Sequence, residues 1–564
     1  MTRLYIPAGA KTAVPDLVLG PLLRYTSETE ATVWVETGSA CEVEVSTDGS
    51  THRSGTFHIE GHHYALVHVP KLESGRTYGY EVLLNGERKW PEDGSPFPPS
   101  VIRPVARGVP LRLAFGSCRI CAPHEPPYTL TNEEDERGLR VDALYALAAR
   151  LREEPVENLP HALLLLGDQI YAHKPPFETL DFIHSRRDTD KPPGEEVASF
   201  EEYTRLYRDS WSDPAIRWLL STVPSAMVFD DHEVSDDWNI SESWIEEVRT
   251  HPWWNDQITG GHVSYWIYQH LGNISPRELA KNDLFEKVKA AGDAGPILRE
   301  FAYRTHRETA GTRWSFYRDF GGTRLVMMDS RGGRVLERGH RSMVDADEWQ
   351  WIVDHATGDF DHLLLGSSLP VLLGPGMHHL QAWNETICSG AWGQRATKWG
   401  ERIRRSQDLD HWGSFHKSFI ELTDLIRSVG AGERGRPPAS ILILSGDVHH
   451  GYLARAAFHS GRVKSRVYQA VCSPLRNALP GKKARLQSAA WSKPGELAGR
   501  FLSRLVGVEK EEVSWRLTHR ELWFENQIAT LKLEDQRATL IFEKAILDGS
   551  GEPNLRKIYE HRLA

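Results

Sequence analysis

The chain has little cysteine: five residues (Cys41, Cys118, Cys121, Cys388, Cys472) among 564. So small and odd a number argues against a disulfide framework and fits a reducing compartment. No apolar run approaches the length needed to cross a bilayer. The opening Met1-Thr2-Arg3-Leu4-Tyr5-Ile6-Pro7 has neither a charged segment followed by an apolar stretch nor a twin-arginine signal, so the expected location is the cytoplasm. Positive charge is also lacking: 67 Lys and Arg face 77 Asp and Glu, for a net charge of -10. That balance argues against nucleic-acid binding driven by bulk charge, and no sequence-specific nucleic-acid binding is expected. A phosphate substrate stays open, because bound cations can reverse the sign of the potential locally. Internal repeats and low-complexity tracts are absent. What remains, 40% apolar and 26% charged residues, describes a folded chain too long for one core.

What is present in quantity is the short apolar run that stops at a small residue and then a metal-binding side chain. Leu111–Phe115 leads to Gly116-Ser117-Cys118, and Leu163–Leu166 to Gly167-Asp168-Gln169-Ile170-Tyr171. Ala226–Phe229 leads to Asp230-Asp231-His232-Glu233, and Ile441–Leu444 to Ser445-Gly446-Asp447-Val448-His449-His450. Such runs read as strands buried on both faces, and the carboxyl edge of an open α/β sheet is where ligands sit. An amphipathic helix over Val141, Leu144, Tyr145, Ala148 and Leu151 between the first two runs completes a βαβ unit. A later helix carries Phe415, Phe419, Leu422, Ile426 and Val429 on one stripe and is expected to stop at Gly430. Ile528–Leu533 and Ala538–Phe542 read as a hairpin. The expected fold is α/β, preceded by a small all-β domain.

That β-domain spans residues 1–100 with its linker. Short alternating stretches are separated by turn signals, and Leu72-Glu73-Ser74-Gly75-Arg76-Thr77-Tyr78-Gly79-Tyr80 resembles the late-strand signature of fibronectin type III and immunoglobulin-like sandwiches. Residues 91–99, rich in Pro, mark a stiff linker. Residues 101–564 form the second domain, with long segments near 240–300 and 374–413 that are rich in Trp and His and expected to wall the site.

Asp168 can bridge two cations with its two oxygens, and Asp447 and His449 follow a strand at alternate positions. Asp231 sits in a run of acids that is costly to bury without a cation, and Asp236, Asp237 and Asn239 are oxygen donors suited to a hard cation. Cys118 reads either as a thiolate ligand or as a buried inert thiol. Arg119 and Arg331 either grip phosphate bidentately or form structural ion pairs. Lys482-Lys483-Ala484-Arg485 with Leu497, Phe501, Leu502 and Leu505 reads either as a surface helix touching lipid or as an ordinary packed helix, the latter preferred.

Taken in order, these motifs, with Pro224, Asp329-Ser330-Arg331 and Cys472-Ser473-Pro474, resemble the PhoD-like (alkaline phosphatase D) metallophosphatases of the calcineurin-like phosphoesterase superfamily. The resemblance implies a calcineurin-like double-sheet core flanked by helices. It also implies Fe3+ near Cys118, Asp168, Tyr171 and His449. Asp168 would bridge to Ca2+ or another divalent cation (Mn2+, Zn2+ or Mg2+) held by Asp231 and Asp447, with Asn239 or Asp236 serving a further calcium. His173 stands where many relatives carry an acidic residue. The expected activity is hydrolysis of phosphate monoesters or diesters by a metal-activated hydroxide, with His232, Arg119 and Arg331 as catalytic residues. The rival expectation is a binding or scaffold protein whose metals are structural and whose β-domain recognises a polymer.

Overall fold

The computed structural model describes residues 15–308, 311–479 and 481–564, leaving aside the side chain of Lys482; the opening heptapeptide lies outside the described residues. The apolar runs form two facing sheets. In a six-stranded sheet, Leu111–Gly116, Ala162–Leu165 and Ser225–Met227 are parallel neighbours. Antiparallel Gln527–Glu534 and Arg537–Leu547, the expected hairpin, extend it. In a seven-stranded sheet, Thr323–Met327, His362–Gly366 and Ser440–Ser445 run parallel. Phe115, Leu164, Met327, Leu364 and Leu444 belong to one buried cluster shared by the two sheets. Helices cover the outer faces, so successive residues of each central strand are buried whichever way they point.

The covering helices follow from their patterning. Ala143–Leu151 buries Leu144, Leu147 and Leu151, and the Asp142 carboxylate accepts the free N–H groups of Leu144 and Tyr145 at its start. His416–Ala431 lays Phe419, Leu422, Ile426 and Val429 on the seven-stranded sheet. It ends later than the sequence suggested: Gly432, at φ 82°, is the left-handed cap. Gly430 is an internal packing residue, where a Cβ would come 2.8 Å from Val463 Cγ1.

The N-terminal region is all β. Leu17–Thr26, Ala31–Thr37, His62–Val69 and Phe57–Ile59 make one sheet; Ser50–Gly55, Glu42–Thr47, Tyr78–Leu84 and Glu87–Trp90 make another. Val33, Val35, Val43, Val67 and Val82 share their core. The Pro-rich stretch is not a free linker. Phe97 stacks on Trp218 at 5.7 Å, Trp218 Nε1 donates to the Pro98 carbonyl at 2.8 Å, and Val101–Ile102 returns to pair with Tyr78 and Gly79. Arg24 clamps the region further by donating to the carbonyls of Tyr268 at 2.6 Å and Gln269 at 2.7 Å.

Only one of the two aromatic segments meets the expectation that both wall the site. The helices of residues 240–300 pack on the β region instead, through contacts such as Trp34–Tyr268 (5.3 Å) and Phe57–Phe285 (6.1 Å). Large apolar side chains of both units are buried together there, which stabilises this docking. Residues 374–413 do reach the strand ends, through the helices Pro375–Cys388 and Gly393–Ser406 and the loop after them. Among the described residues no helix is long and apolar enough to cross a membrane.

Candidate metal centre

The carboxyl ends of strands from both sheets meet at a cavity of about 640 Å³ lined by Tyr171, Asp231, His232, Arg331, His411, Asp447 and His449, among others. Two glycines permit the convergence. A Cβ at Gly446 would lie 2.0 Å from Ser117 Oγ, and one at Gly167 would lie 2.5 Å from Asp230 Oδ2. The ligand-bearing residues are held in unusual backbone conformations. Cys118, Asp447 and His449 have φ of 57°, 62° and 52°, in the left-handed region that side chains avoid. Strain of this kind persists only where surrounding structure enforces it, and it clusters at functional sites.

On one side of the cavity the Tyr171 hydroxyl donates to Asp168 Oδ2 at 3.2 Å and receives the Asn477 amide at 3.0 Å. Cys118 is fully buried beside Ser117 and the Asp447 carbonyl, with sulfur contacts of 3.3 and 3.4 Å. Burial, then the charges of Asp168 and Asp447, push its thiol well above the usual range. His449 turns Nδ1 to the Asn477 carbonyl at 2.7 Å, which commits that nitrogen as donor and leaves Nε2 with a free lone pair. His450 faces elsewhere, stacked on Tyr452.

On the other side Arg331 is the hub. Its guanidinium bonds Asp230 Oδ1 at 2.7 Å, Asp447 Oδ1 at 3.2 Å and Asp410, and it lies 3.3 Å from Asp231 Oδ1. His411 bridges Asp447 Oδ2 at 3.1 Å and Asp410 Oδ1 at 3.2 Å. Despite burial, those two carboxylates raise its imidazole to about 9, so it is protonated at neutral pH. In return, against the cost of burial, the His411 hydrogen bond and the Arg331 charge hold Asp447 below the ordinary carboxylate range. Asp168 has no such support. Burial first, and then the charges of Asp230, Asp231, Glu233 and Asp447, push it well above that range.

The donor set fits cations. Asp168 Oδ1 and Asp230 Oδ2 are buried oxygens without a hydrogen-bond donor. Ligand atoms of Asp168, Asp231 and His232 come within 4.8 Å of one another, as do those of Asp230, Asp231 and Asp447. Clustered carboxylates with unfilled lone pairs are costly to bury unless a cation compensates.

Of the residues singled out by sequence, Cys118, Asp168, Tyr171, Asp231, His232, Arg331, Asp447 and His449 come together here. Asp236 sits on the exposed rim, 3.6 Å from His232 Nδ1. Asn239 turns its amide to the Arg331 carbonyl at 2.7 Å and does not line the cavity. Arg119 is directed away: Nε binds Asp142 Oδ2 at 2.8 Å and Nη1 the Ser210 carbonyl at 2.8 Å, with 1% of the residue exposed. Of the two roles open to Arg119, the observed contacts are those of the structural ion pair. His173, the departure from the family pattern, pairs its Nδ1 with that of His232 at 3.1 Å. Sequence reasoning passed over Asp410, His411 and Asn477. None follows an apolar run that would flag it, although Asp408-Leu409-Asp410-His411 lies in a segment already expected at the site.

Comparison with known proteins meets the motif-based resemblance. Residues 143–269 match the PhoD-like phosphatase family model, and residues 14–102 match a model described as a domain of unknown function. The solved structure of PhoD superposes with a TM-score of 0.60 at 11% identity, covering 99% of this chain and 92% of that one. Purple acid phosphatase PPD1 from yellow lupin (Lupinus luteus) seeds gives a TM-score of 0.49 at 11% identity, over 96% of this chain and 74% of that one. None of the curated proteins compared matches the chain. The chain is thus similar to PhoD-like phosphatases in sequence over residues 143–269, and it shares the overall fold of PhoD.

Proposed function

We propose that the chain hydrolyses phosphate esters, monoesters or diesters, at a centre of two or more cations built on these strand ends. The observation that carries the reading is the pair of buried, unpartnered carboxylate oxygens on Asp168 and Asp230, clustered with Asp231, His232 and Asp447, which line the cavity. Cys118, Asp168, Tyr171 and His449 supply the sulfur, phenol and imidazole donors suited to iron; Asp231 and Asp447 supply oxygens suited to calcium or another divalent ion, with Asp168 between the two sets. Of Asn239 and Asp236, Asp236 is assigned to a further calcium at the rim, where its ligand atom lies near those of Asp231 and Asp237. When bound, such cations neutralise phosphate oxygens and activate the attacking water.

The chain's own groups do the rest. His232 Nε2 lies 4.0 Å from Asp168 Oδ2 on the cavity wall, placed to protonate the leaving oxygen. His173, also on the cavity wall, fixes its ring through the shared Nδ1 contact, in which only one of the two facing atoms can donate. Arg331 has its donors committed to carboxylates, so it acts chiefly by positioning Asp230 and Asp447. His411 keeps Asp447 ionised. The two N-terminal sheets are read as a fibronectin type III-like sandwich.

The test is element-resolved metal content and phosphate-ester hydrolysis of the wild type and Asp168→Asn. The variant is expected to fold, lose bound metal and lose on the order of 100-fold or more in rate. Full hydrolysis by a folded Asp168→Asn chain refutes the mechanism. A metal-loaded chain that hydrolyses no phosphate ester, and whose melting temperature falls with a chelator, supports the scaffold reading instead.

A further inference from the structure

An amphipathic surface helix normally turns its apolar stripe inward and its small or polar residues outward. Lys493–Leu505 does the reverse. It buries Gly499 and Ser503 and seats that side on Pro375–Cys388 so closely that backbones touch. A Cβ on Gly499 would lie 2.6 Å from the Gly376 carbonyl oxygen, and one on Gly376 would lie 2.8 Å from the Gly495 carbonyl carbon. Leu497, Phe501 and Leu505 recur every four residues on a stripe about 200° round the helix from Gly499. They are 67%, 62% and 51% exposed, and Leu486 on the preceding helix is 55% exposed. Among the described residues eleven large apolar side chains are exposed, and these four fall within one twenty-residue stretch. The helix is packed, as preferred from sequence, but on the helix Pro375–Cys388 rather than on the sheet, and by its small-residue face.

The charge around this stripe is equally local. Between Gly481 and Leu505 stand Lys482, Lys483, Arg485, Lys493, Arg500 and Arg504 against one acid, Glu496, in a chain of net charge -10. Outward leucines and a phenylalanine beside basic side chains are what an anionic bilayer surface receives, with acyl-chain contact for the apolar stripe and lipid phosphates for the cations. The surface is also continuous with the centre described above, since Lys483, Leu486 and Gln487 of Gly481–Ala490 line its cavity.

We infer that the two helices Gly481–Ala490 and Lys493–Leu505 form a docking surface for anionic phospholipid bilayers, placing the mouth of the cavity beside the headgroup layer. Adsorption of this kind does not depend on hydrolysis, so it stands or falls separately from the proposed activity.

The experiment is co-sedimentation of the full chain with vesicles of phosphatidylcholine alone and of phosphatidylcholine mixed with phosphatidylglycerol. The wild type is expected to bind the anionic vesicles preferentially. Replacing Leu497, Phe501 and Leu505 together by serine should weaken that partitioning by on the order of 100-fold. Hydrolysis of a soluble phosphate ester and the melting temperature should stay unchanged, which shows that the variant is folded. A second variant, Lys493→Gln with Arg504→Gln, should bind less at low salt and lose the preference for anionic vesicles. Equal binding by the serine variant, or no binding of either vesicle type by the wild type, overturns the inference. So does a wild-type dimer that the serine substitutions make monomeric, because the occupant of the stripe is then a second copy of the chain.

Discussion

Replacing Gly167 by alanine tests whether the centre is built on enforced close approach. Gly167 has φ of 131°, outside the range a side chain tolerates, and its Cβ would meet Asp230 Oδ2 at 2.5 Å. A flexible carboxylate would swing away, but this one is held. Arg331 Nε binds Asp230 Oδ1 at 2.7 Å, and Glu233 Oε2 takes the Asp230 N–H at 3.0 Å. Backbone strain of about 1–3 kcal/mol and overpacking of about 1–3 kcal/mol together predict destabilisation of about 2–6 kcal/mol for Gly167→Ala. Displacement of the adjoining Asp168 should remove most ester hydrolysis with it. The two contributions separate in a double-mutant cycle with Asp230→Ala, which deletes the obstacle but not the strain. The double variant should be more stable than the sum of the single changes allows, by about 1–3 kcal/mol. Equilibrium denaturation followed by tryptophan fluorescence measures all four proteins. Strict additivity, or a Gly167→Ala chain as stable and active as the wild type, refutes the reasoning.

Arg119→Met should destabilise the fold by about 3–5 kcal/mol, because it leaves Asp142 buried and unpaired, yet leave KM for a soluble phosphate ester unchanged. A raised KM without loss of stability would return Arg119 to the substrate. His262 is fully buried, with Phe229 and Trp238 each 5.4 Å away, and burial drops its pKa to about 4 from the ordinary 6.5. A depressed folded pKa means that its contribution is fully present above about 6.5 and is lost as pH falls toward about 4. The stability of the wild type relative to His262→Leu should therefore decline by about 3 kcal/mol across that window. A pH-independent difference in the denaturation midpoints of the two proteins would contradict this.

Much of the fold was legible because it is written locally. A strand buried on both faces must be apolar at every position, so Leu163–Leu166 and Ile441–Leu444 announce themselves, and the glycine after each marks where chains approach. The side chains that follow those glycines, Asp168, Tyr171, Asp447 and His449, lie together in space as their positions suggested. Periodicity is silent on which buried group a charge will meet. Arg119 and Arg331 have similar local settings, yet one pairs with Asp142 and the other with Asp230, which lies 101 residues away. Asp410 and His411 come from a helical excursion and carry no strand-end signal. The expectation that residues 240–300 wall the site failed for a similar reason, since aromatic content states that a segment will be buried and leaves open what it will be buried against.

The sequence by itself therefore determined the strands, their ligand-bearing ends and the resemblance to PhoD-like phosphatases, because burial pattern and strand-end chemistry are properties of neighbours in the chain. Only the tertiary structure decided which carboxylates share Arg331 and His411, that Arg119 is withdrawn from the cavity, and that Lys493–Leu505 packs by its glycines. Each of those outcomes depends on the shape and charge of a surface contributed by distant residues. A helix with one small face and one large apolar face can pack either way round, and here the close approach allowed by Gly376 selects the small face and leaves the leucines and phenylalanine outside.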